Sequence, residues 1–313
     1  MDFLSTFIIV LLALALAVPG FILRKIKLLP EGANNVLSVV LLYLSSPFLN
    51  LSSILGKTFS VKILPGFAAV FILAVVLQLA IYFIAKLCFK RLENDAEKRI
   101  SATCSFLGNV GFMGIPVMKS LFPDNDVLII YAVVFNVAFN AICWTLALCE
   151  ITGDKSKMKP WKIILNPPTV STLIAIPFFV LNIKFPENVM NTIAYIGDMT
   201  LPLSMLILGI RLADIPFKNL FTSKSVYGAI SLKLVISPLL TLGVVLLLRL
   251  IIPLDDNVLI ALYIIMAMPA AATNLSFAER YEGDKDNAAK NLLLSTILCV
   301  LTIPLLMLLL QVI

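Results

Sequence analysis

No histidine occurs in the 313 residues of this chain. That removes the commonest general base and metal ligand, and the side chain that titrates nearest neutrality. Charge is scarce as well: only 13% of residues are Asp, Glu, Lys or Arg, far below what a soluble domain of this length carries. No segment has the G-x-x-x-x-G-K-[ST] pattern of a phosphate-cradling loop, which excludes a nucleotide-driven pump. The five cysteines, Cys88, Cys104, Cys143, Cys149 and Cys299, lie in or beside apolar segments without metal-ligand spacing. They read as small hydrophobes. An intramembrane enzyme needs a nucleophile with a base, or metal ligands. Neither pattern is present, so the expectation is a non-enzyme with no catalytic residue, metal or cofactor. Asp2 stands where a cleaved signal would carry basic residues, so Phe3–Leu23 reads as a first membrane span.

What is abundant is apolar: 60% of residues are hydrophobic and the mean hydropathy is +1.04. The fold class this predicts is an all-α polytopic membrane protein, its partner being the lipid bilayer rather than nucleic acid, despite a formal net charge of +6. Apolar runs near the length of a bilayer crossing place ten spans at roughly 3–23, 34–55, 62–88, 100–121, 127–150, 168–185, 190–211, 225–252, 257–279 and 288–312. Most lysines and arginines fall in the connections after spans one, three, five, seven and nine. Only Lys57, Lys62, Lys119, Lys184 and Arg249 fall in the others, and Lys233 lies inside span eight. The positive-inside rule then puts the odd-numbered connections in the cytoplasm and both termini outside. The short loops suggest a prokaryotic inner (plasma) membrane.

Two segments interrupt this pattern. Gly108–Pro123 carries Gly108, Gly111, Gly114 and Pro116, and Ala267–Phe277 carries Pro269. Glycine weakens a helix and an interior proline removes one of its hydrogen bonds. In hydrocarbon such a break survives only where it faces protein or a polar cavity. Two interrupted spans at corresponding places in two halves point to a transporter's substrate site. The halves also align: Pro19 with Pro177, Pro30 with Pro186, Asn35 with Asn191, Pro47 with Pro202 and Pro116 with Pro269. This predicts a first five-span repeat over 1–150, a connecting loop over 151–165 and a second repeat over 166–313. An odd number of spans per repeat inverts the second relative to the first.

If both spans break at their prolines, the half-helices after Pro116 and Pro269 start near the midplane. Their free N–H groups and positive dipole ends then converge as an anion site that needs no basic side chain. The polar residues placed to line it are Asn109 on span four, Asn136 and Asn140 on span five, and Thr273, Asn274 and Ser276 on span nine. Asn136 and Asn140 share one helix face. Helix-to-helix hydrogen bonding is the competing role for these side chains. Ser45, Ser46 and Pro47 on span two, and Thr200 and Pro202 on span seven, are placed to face the site, with a packing kink as the alternative. Asp198 and Lys233 are the charges expected within the membrane and hence the ion-coupling candidates. Asp198 has two further readings, as a partly solvated boundary residue or as the partner of Lys233. Glu279 and Arg280 read as an ion pair at the end of span nine, or as a gate.

The motifs NVGFMGIP (Asn109–Pro116), NPPTVSTL (Asn166–Leu173), DMTLPLSMLILGIRL (Asp198–Leu212) and MPAAATNLSFAERY (Met268–Tyr281) resemble those of the auxin efflux carrier family. That family includes the plant PIN auxin exporters and bacterial permeases for small carboxylates. The resemblance spans essentially the whole chain. It implies a scaffold made of spans 1, 2, 6 and 7, and a transport domain made of spans 3–5 and 8–10, with spans 4 and 9 crossing at their breaks. It places Asn109 and Asn136 at positions that contact the substrate carboxylate in the plant exporters. The function it implies is secondary transport of a small organic anion by elevator-type alternating access, with proton or sodium coupling. A channel or facilitator for small organic solutes is the alternative. A homodimer through the scaffold fits the resemblance rather than any residue pattern. The ionisable pair that the plant exporters carry on span three is missing, where only Gln78 stands.

Overall fold

The computed structural model describes residues 3–154, 156 and 161–312. Asp2 and the loop lysines Lys155, Lys157 and Lys159 lie outside the described residues. Twelve principal helices account for the apolar segments. They are α1 (Phe3–Lys25), α2 (Ala33–Ile54), α3 (Val61–Cys88), α4 (Asp95–Phe106), α5 (Val110–Leu121), α6 (Asp126–Thr152), α7 (Pro167–Val180), α8 (Glu187–Asp214), α9 (Lys224–Arg249), α10 (Asp256–Met266), α11 (Ala272–Arg280) and α12 (Lys285–Val312). Seven of these, α1, α2, α3, α6, α8, α9 and α12, are long and apolar enough to cross a bilayer. The chain is therefore an all-helical, multi-span membrane protein. No strand occurs among the described residues. The helix ends lie within a few residues of the expected spans. The largest differences are at α4, which starts at Asp95 rather than at 100, and at α7, which ends at Val180 rather than at 185; the 14 residues of α7 extend only about 21 Å against a hydrocarbon core of about 30 Å.

Local chemistry sets several of these boundaries. Asn94, Asn125, Asn166 and Asp255 each stand just before a helix and accept a hydrogen bond from an N–H of its first turn. Prolines act more subtly. Wide π turns at Leu41–Ser45, Val110–Gly114 and Leu232–Ile236 each end two residues before a proline: Pro47, Pro116 and Pro238. A proline ring crowds the carbonyl one turn back, and widening that turn relieves it without ending the helix. Pro116 accordingly sits inside a continuous helical stretch. The break in span four is at Leu107–Asn109 instead, between α4 and α5. Span nine does break at its proline: α10 ends at Met266, Pro269 lies in the extended segment, and α11 starts at Ala272. Pro116 and Pro269 thus stand at different places relative to their breaks, one inside a helix and one in the extended segment.

Packing around these helices is close where side chains are smallest. The second half of α8 crosses α1 most intimately of all pairs. A methyl on Gly209 would lie 1.8 Å from the Ala17 carbonyl oxygen, and one on Gly20 would lie 2.1 Å from that of Leu206. Glycine on both sides lets the two backbones touch, the arrangement that holds helices together in lipid. Helix α2 packs on α7 and on the first half of α8, where Gly197 meets the backbone of Leu49. Helix α3 packs on α4 and α6; α10 packs on α6 and α9; α12 packs on α4, α11 and α1.

Candidate functional site at the crossing of two broken helices

The two breaks meet. Gly108 and Ala270 form an isolated antiparallel bridge. The Asn109 N–H donates to the Pro269 carbonyl at 2.7 Å and the Ala271 N–H donates to the Leu107 carbonyl at 3.0 Å. Each break satisfies the backbone groups that the other exposes, which hydrocarbon would otherwise penalise by several kcal/mol. The bridge also sets α5 and α11 running away from one point. Both helices begin there with N–H groups free of intrahelical partners, so two positive dipole ends adjoin.

Around this point the structure brings together part of the expected set. Asn109 is only 5% exposed, and among the described residues no protein group hydrogen-bonds its carboxamide. A methyl on Gly111 would lie 3.2 Å from Asn136 Oδ1, so only the absence of a side chain there leaves room for the Asn136 carboxamide. Gly114 faces Met268 and the Asn109 carbonyl across the same crossing. Pro116 and Pro269 are buried beside it. The Asn140 amide donates to the Asn136 main-chain carbonyl at 2.8 Å, one turn along α6. Thr273 accepts from Cys143 Sγ at 3.7 Å, which puts the start of α11 against α6 two turns beyond Asn136.

The remaining residues are committed elsewhere. Asn274 donates to Cys104 Sγ on α4 at 3.5 Å, while its Oδ1 is buried without a partner. Ser276 donates to the Ala272 carbonyl of its own helix. Cys104, Cys143 and Cys299 are buried free thiols. Pro202 is exposed and lines a groove of about 420 Å³ with Leu16, Pro19, Tyr195 and Asp198, on the side of α8 that faces away from the crossing. A helix puts residues four apart on one face and residues two apart on opposite faces. Thr200 and Ser204 therefore face inward where Pro202 does not. Both are buried, and the Ser204 hydroxyl donates to the Phe112 carbonyl in the π turn of α5 at 3.2 Å.

The two charges expected within the membrane separate as well. Asp198 ends the first segment of α8 with its side chain 63% exposed, 3.4 Å from Lys119. It is the boundary residue of the three readings and does not meet Lys233. Lys233, 1% exposed, donates to the Met266 carbonyl at the end of α10 at 3.1 Å. Ser237, one turn on, donates to the same carbonyl. Glu279 pairs with Arg211 of α8, Arg211 Nη2 donating to Oε2 at 3.0 Å, rather than with its neighbour Arg280. Arg280 lies over the Tyr281 ring instead.

One residue was missed altogether. Asn50 on α2 is buried, donates to the Pro168 carbonyl at 2.9 Å and to Thr172 Oγ1 at 3.2 Å, and accepts from Asn136 Nδ2 at 3.5 Å. It ties α2 to the start of α7 and reaches the site through Asn136. The NPPT motif explains the tie. Asn166 caps α7, Pro167 and Pro168 occupy positions whose N–H would be unpaired, and the Pro168 carbonyl becomes a shared acceptor for Asn50, Ser171 and Thr172. An asparagine amid Leu and Ser deep in span two, far from Asn34 and Asn35 at its start, was the available signal. Ser46 sits one turn before Asn50 on the same face, while Pro47 is buried next to it.

Known proteins place this geometry. The chain is 24% identical over 315 residues to an uncharacterized transporter of Methanocaldococcus jannaschii, covering 95% of this chain and 96% of that one. It is 26% identical over 315 residues to an uncharacterized transporter of Methanothermobacter thermautotrophicus, covering 97% and 98%. Residues 4–307 match the family described as membrane transport protein. With paired broken helices, buried amides at their crossing and this match over nearly its whole length, the chain belongs to the auxin efflux carrier family of membrane transport proteins and is a transporter rather than an enzyme.

Proposed function

We propose that the protein is a secondary transporter that moves a small organic anion, a carboxylate, across the cell membrane by elevator-type alternating access. The observation that carries this reading is the Gly108–Ala270 bridge, which sets the N-termini of α5 and α11 side by side next to the uncommitted Asn109 carboxamide. Two helix N-termini with neutral amide donors favour an anion without a fixed cationic clamp in the first contact layer. In this reading α4 with α5, and α10 with α11, each count as one span. The ten spans form two inverted repeats, 1–150 and 166–313. Helices α1, α2, α7 and α8 are the scaffold, and the remainder is the transport domain.

Packing within the proposed scaffold fits that division. The tight glycine crossing of α1 with α8 and the Asn50 tie of α2 to α7 lie within the scaffold. Between the two groups, α1 packs along α12, and hydrogen bonds or ion pairs link Ser204 with the Phe112 carbonyl, Asn50 with Asn136, Arg211 with Glu279 and Lys119 with Asp198. Of these, the exposed Lys119–Asp198 pair exchanges for water at little cost, as a sliding interface requires. The lysine and arginine distribution puts both termini outside. The test is uptake of malonate, malate and indole-3-acetate into proteoliposomes, with Asn109→Ala beside the native protein. Saturable uptake of at least one acid, abolished by the substitution while the melting temperature holds, is the expected result. Absence of uptake and of ligand-induced stabilisation with all three acids refutes the reading.

A further inference from the structure

Of the two cations buried among the described residues, Arg211 pairs with Glu279 and Lys233 has no carboxylate partner. It lies in the π turn of α9, 1% exposed, with its ammonium on the Met266 carbonyl at the C-terminal end of α10. It also reaches the crossing itself, since a methyl on Gly108 would stand 2.9 Å from Nζ and 3.1 Å from Cε. Gly108 is the bridge residue and the neighbour of Asn109. The amine therefore sits directly behind the backbone that presents the anion site.

No carboxylate pairs with it. The ion pairs among the described residues do not include Lys233. The π turn packs against α4 and α12, and its carbonyl partner is on α10. The titratable groups buried along those helices are Cys104, Cys299 and Tyr263, all uncharged as thiol or phenol. Their charged groups, Asp95, Glu97, Lys98 and Arg99 on α4, Lys285, Asp286 and Lys290 on α12, and Asp256 on α10, stand at the helix ends. On α9 itself Lys224 and Arg249 are terminal. An ammonium so placed has only a helix C-terminus and one hydroxyl-bearing neighbour to offset its desolvation. A cation at the broken end of a half-helix is what a coupling ion supplies in transporters of this kind of architecture.

We infer that Lys233 is the coupling group: its amine takes up one proton from water as an anion enters beside Asn109, and gives it back when the anion leaves. This rests on the anion-site reading above. The charge balance is direct. Without the anion the ammonium is unpaired in a site that penalises lone charge; with it, a counter-charge lies within the crossing. Each event favours the other, so anion affinity rises as pH falls, and every anion crosses with one proton. Sodium has no part in the cycle, because the lysine occupies the cation's place.

Isothermal titration of the purified full-length protein decides this. Malonate, malate and indole-3-acetate are titrated from about pH 6 to about pH 9 in pairs of buffers of different ionisation enthalpy, with and without sodium. The expected result is proton uptake approaching one per anion toward the alkaline end. Affinity there falls about tenfold per pH unit, and sodium leaves it unchanged. Lys233→Arg keeps a charge that does not titrate. It should bind the anion with no proton uptake and a flat pH dependence. Lys233→Met should bind weakly at every pH. Anion binding by the native protein without proton uptake overturns the inference and leaves the anion site standing, as does uptake that persists in Lys233→Arg. Binding of none of the acids at any pH overturns the anion site itself.

Discussion

Gly209→Ala adds a single methyl, and the geometry says that it cannot be absorbed by side-chain motion. The added carbon would lie 1.8 Å from the Ala17 carbonyl oxygen, 2.8 Å from its carbon and 2.8 Å from the Phe21 nitrogen, all backbone atoms of α1. An ordinary C···O contact is about 3.3 Å, so the two helices must part by roughly 1.5 Å at their crossing. Gly20 meets α8 there in the same way, so tilting about that point relieves one contact by tightening the other. Parting forfeits dispersion contacts along the whole crossing, because a gap of that size loses most of each pair's attraction. Overpacking of this kind costs typically 1–3 kcal/mol, and about 3 is expected where only backbone can yield. For a chain of this size that lowers the melting temperature by about 5 °C or more. The assay is thermal unfolding of the purified protein, followed by the fluorescence of Trp144 and Trp161. Gly243→Ala is the internal control: it sits within α9 with no atom inside 4 Å of the added carbon, so it should melt no lower than the native protein. A Gly209→Ala protein that melts within a degree of the native one would refute the claim that backbone contact holds α1 to α8.

Three further outcomes follow from contacts nearer the site. Gly111→Ala puts a methyl 3.2 Å from Asn136 Oδ1 and should weaken carboxylate binding about tenfold or more with little change in melting temperature, read by titration calorimetry. Asn50→Ala removes the donor shared by the Pro168 carbonyl and Thr172. It should cost about 1–3 kcal/mol of stability and also reduce carboxylate affinity, a pairing of effects not expected of a purely structural residue. Glu279→Gln leaves the buried Arg211 guanidinium without its counter-charge. The expected result is a protein shifted toward the state in which the two helices part, seen as faster modification of a cysteine placed at Ser276, and the change should reverse in Arg211→Gln/Glu279→Gln.

The all-helical, multi-span character was legible, with seven helices long and apolar enough to cross, because a bilayer imposes length and apolarity that single residues rarely override. Finer placements failed where the deciding partner is far away in the chain. Pro116 looked like the break, but the π turn before it accommodates the ring, and the actual break at Leu107–Asn109 is set by pairing with Pro269 and Ala271. Glu279 was read with its neighbour Arg280, yet it pairs with Arg211 on another helix. Of the readings open to Asp198, the boundary one fits: it lies 3.4 Å from Lys119 at an exposed helix end, while Lys233 reaches a carbonyl. Pro202 was carried along by its motif, although helical periodicity turns it opposite to Thr200 and Ser204. Asn136 lies against Gly111, two residues from Asn109, a closeness that glycine and asparagine in an apolar run already suggest because they have few other uses there.

The bridge between Gly108 and Ala270 also bears on how this chain is made. When the first half has entered the membrane, the Leu107 carbonyl and the Asn109 N–H have no partner of their own, because both wait for a segment about 160 residues further on. At a synthesis rate of about 5–20 residues per second, that wait lasts on the order of 10–30 s. During it, the open backbone must stay near the translocation machinery, water or another protein. A ribosome-stalled chain ending before Pro269 should therefore remain protease-sensitive near Gly108 and become resistant once α10 and the break beyond it have emerged.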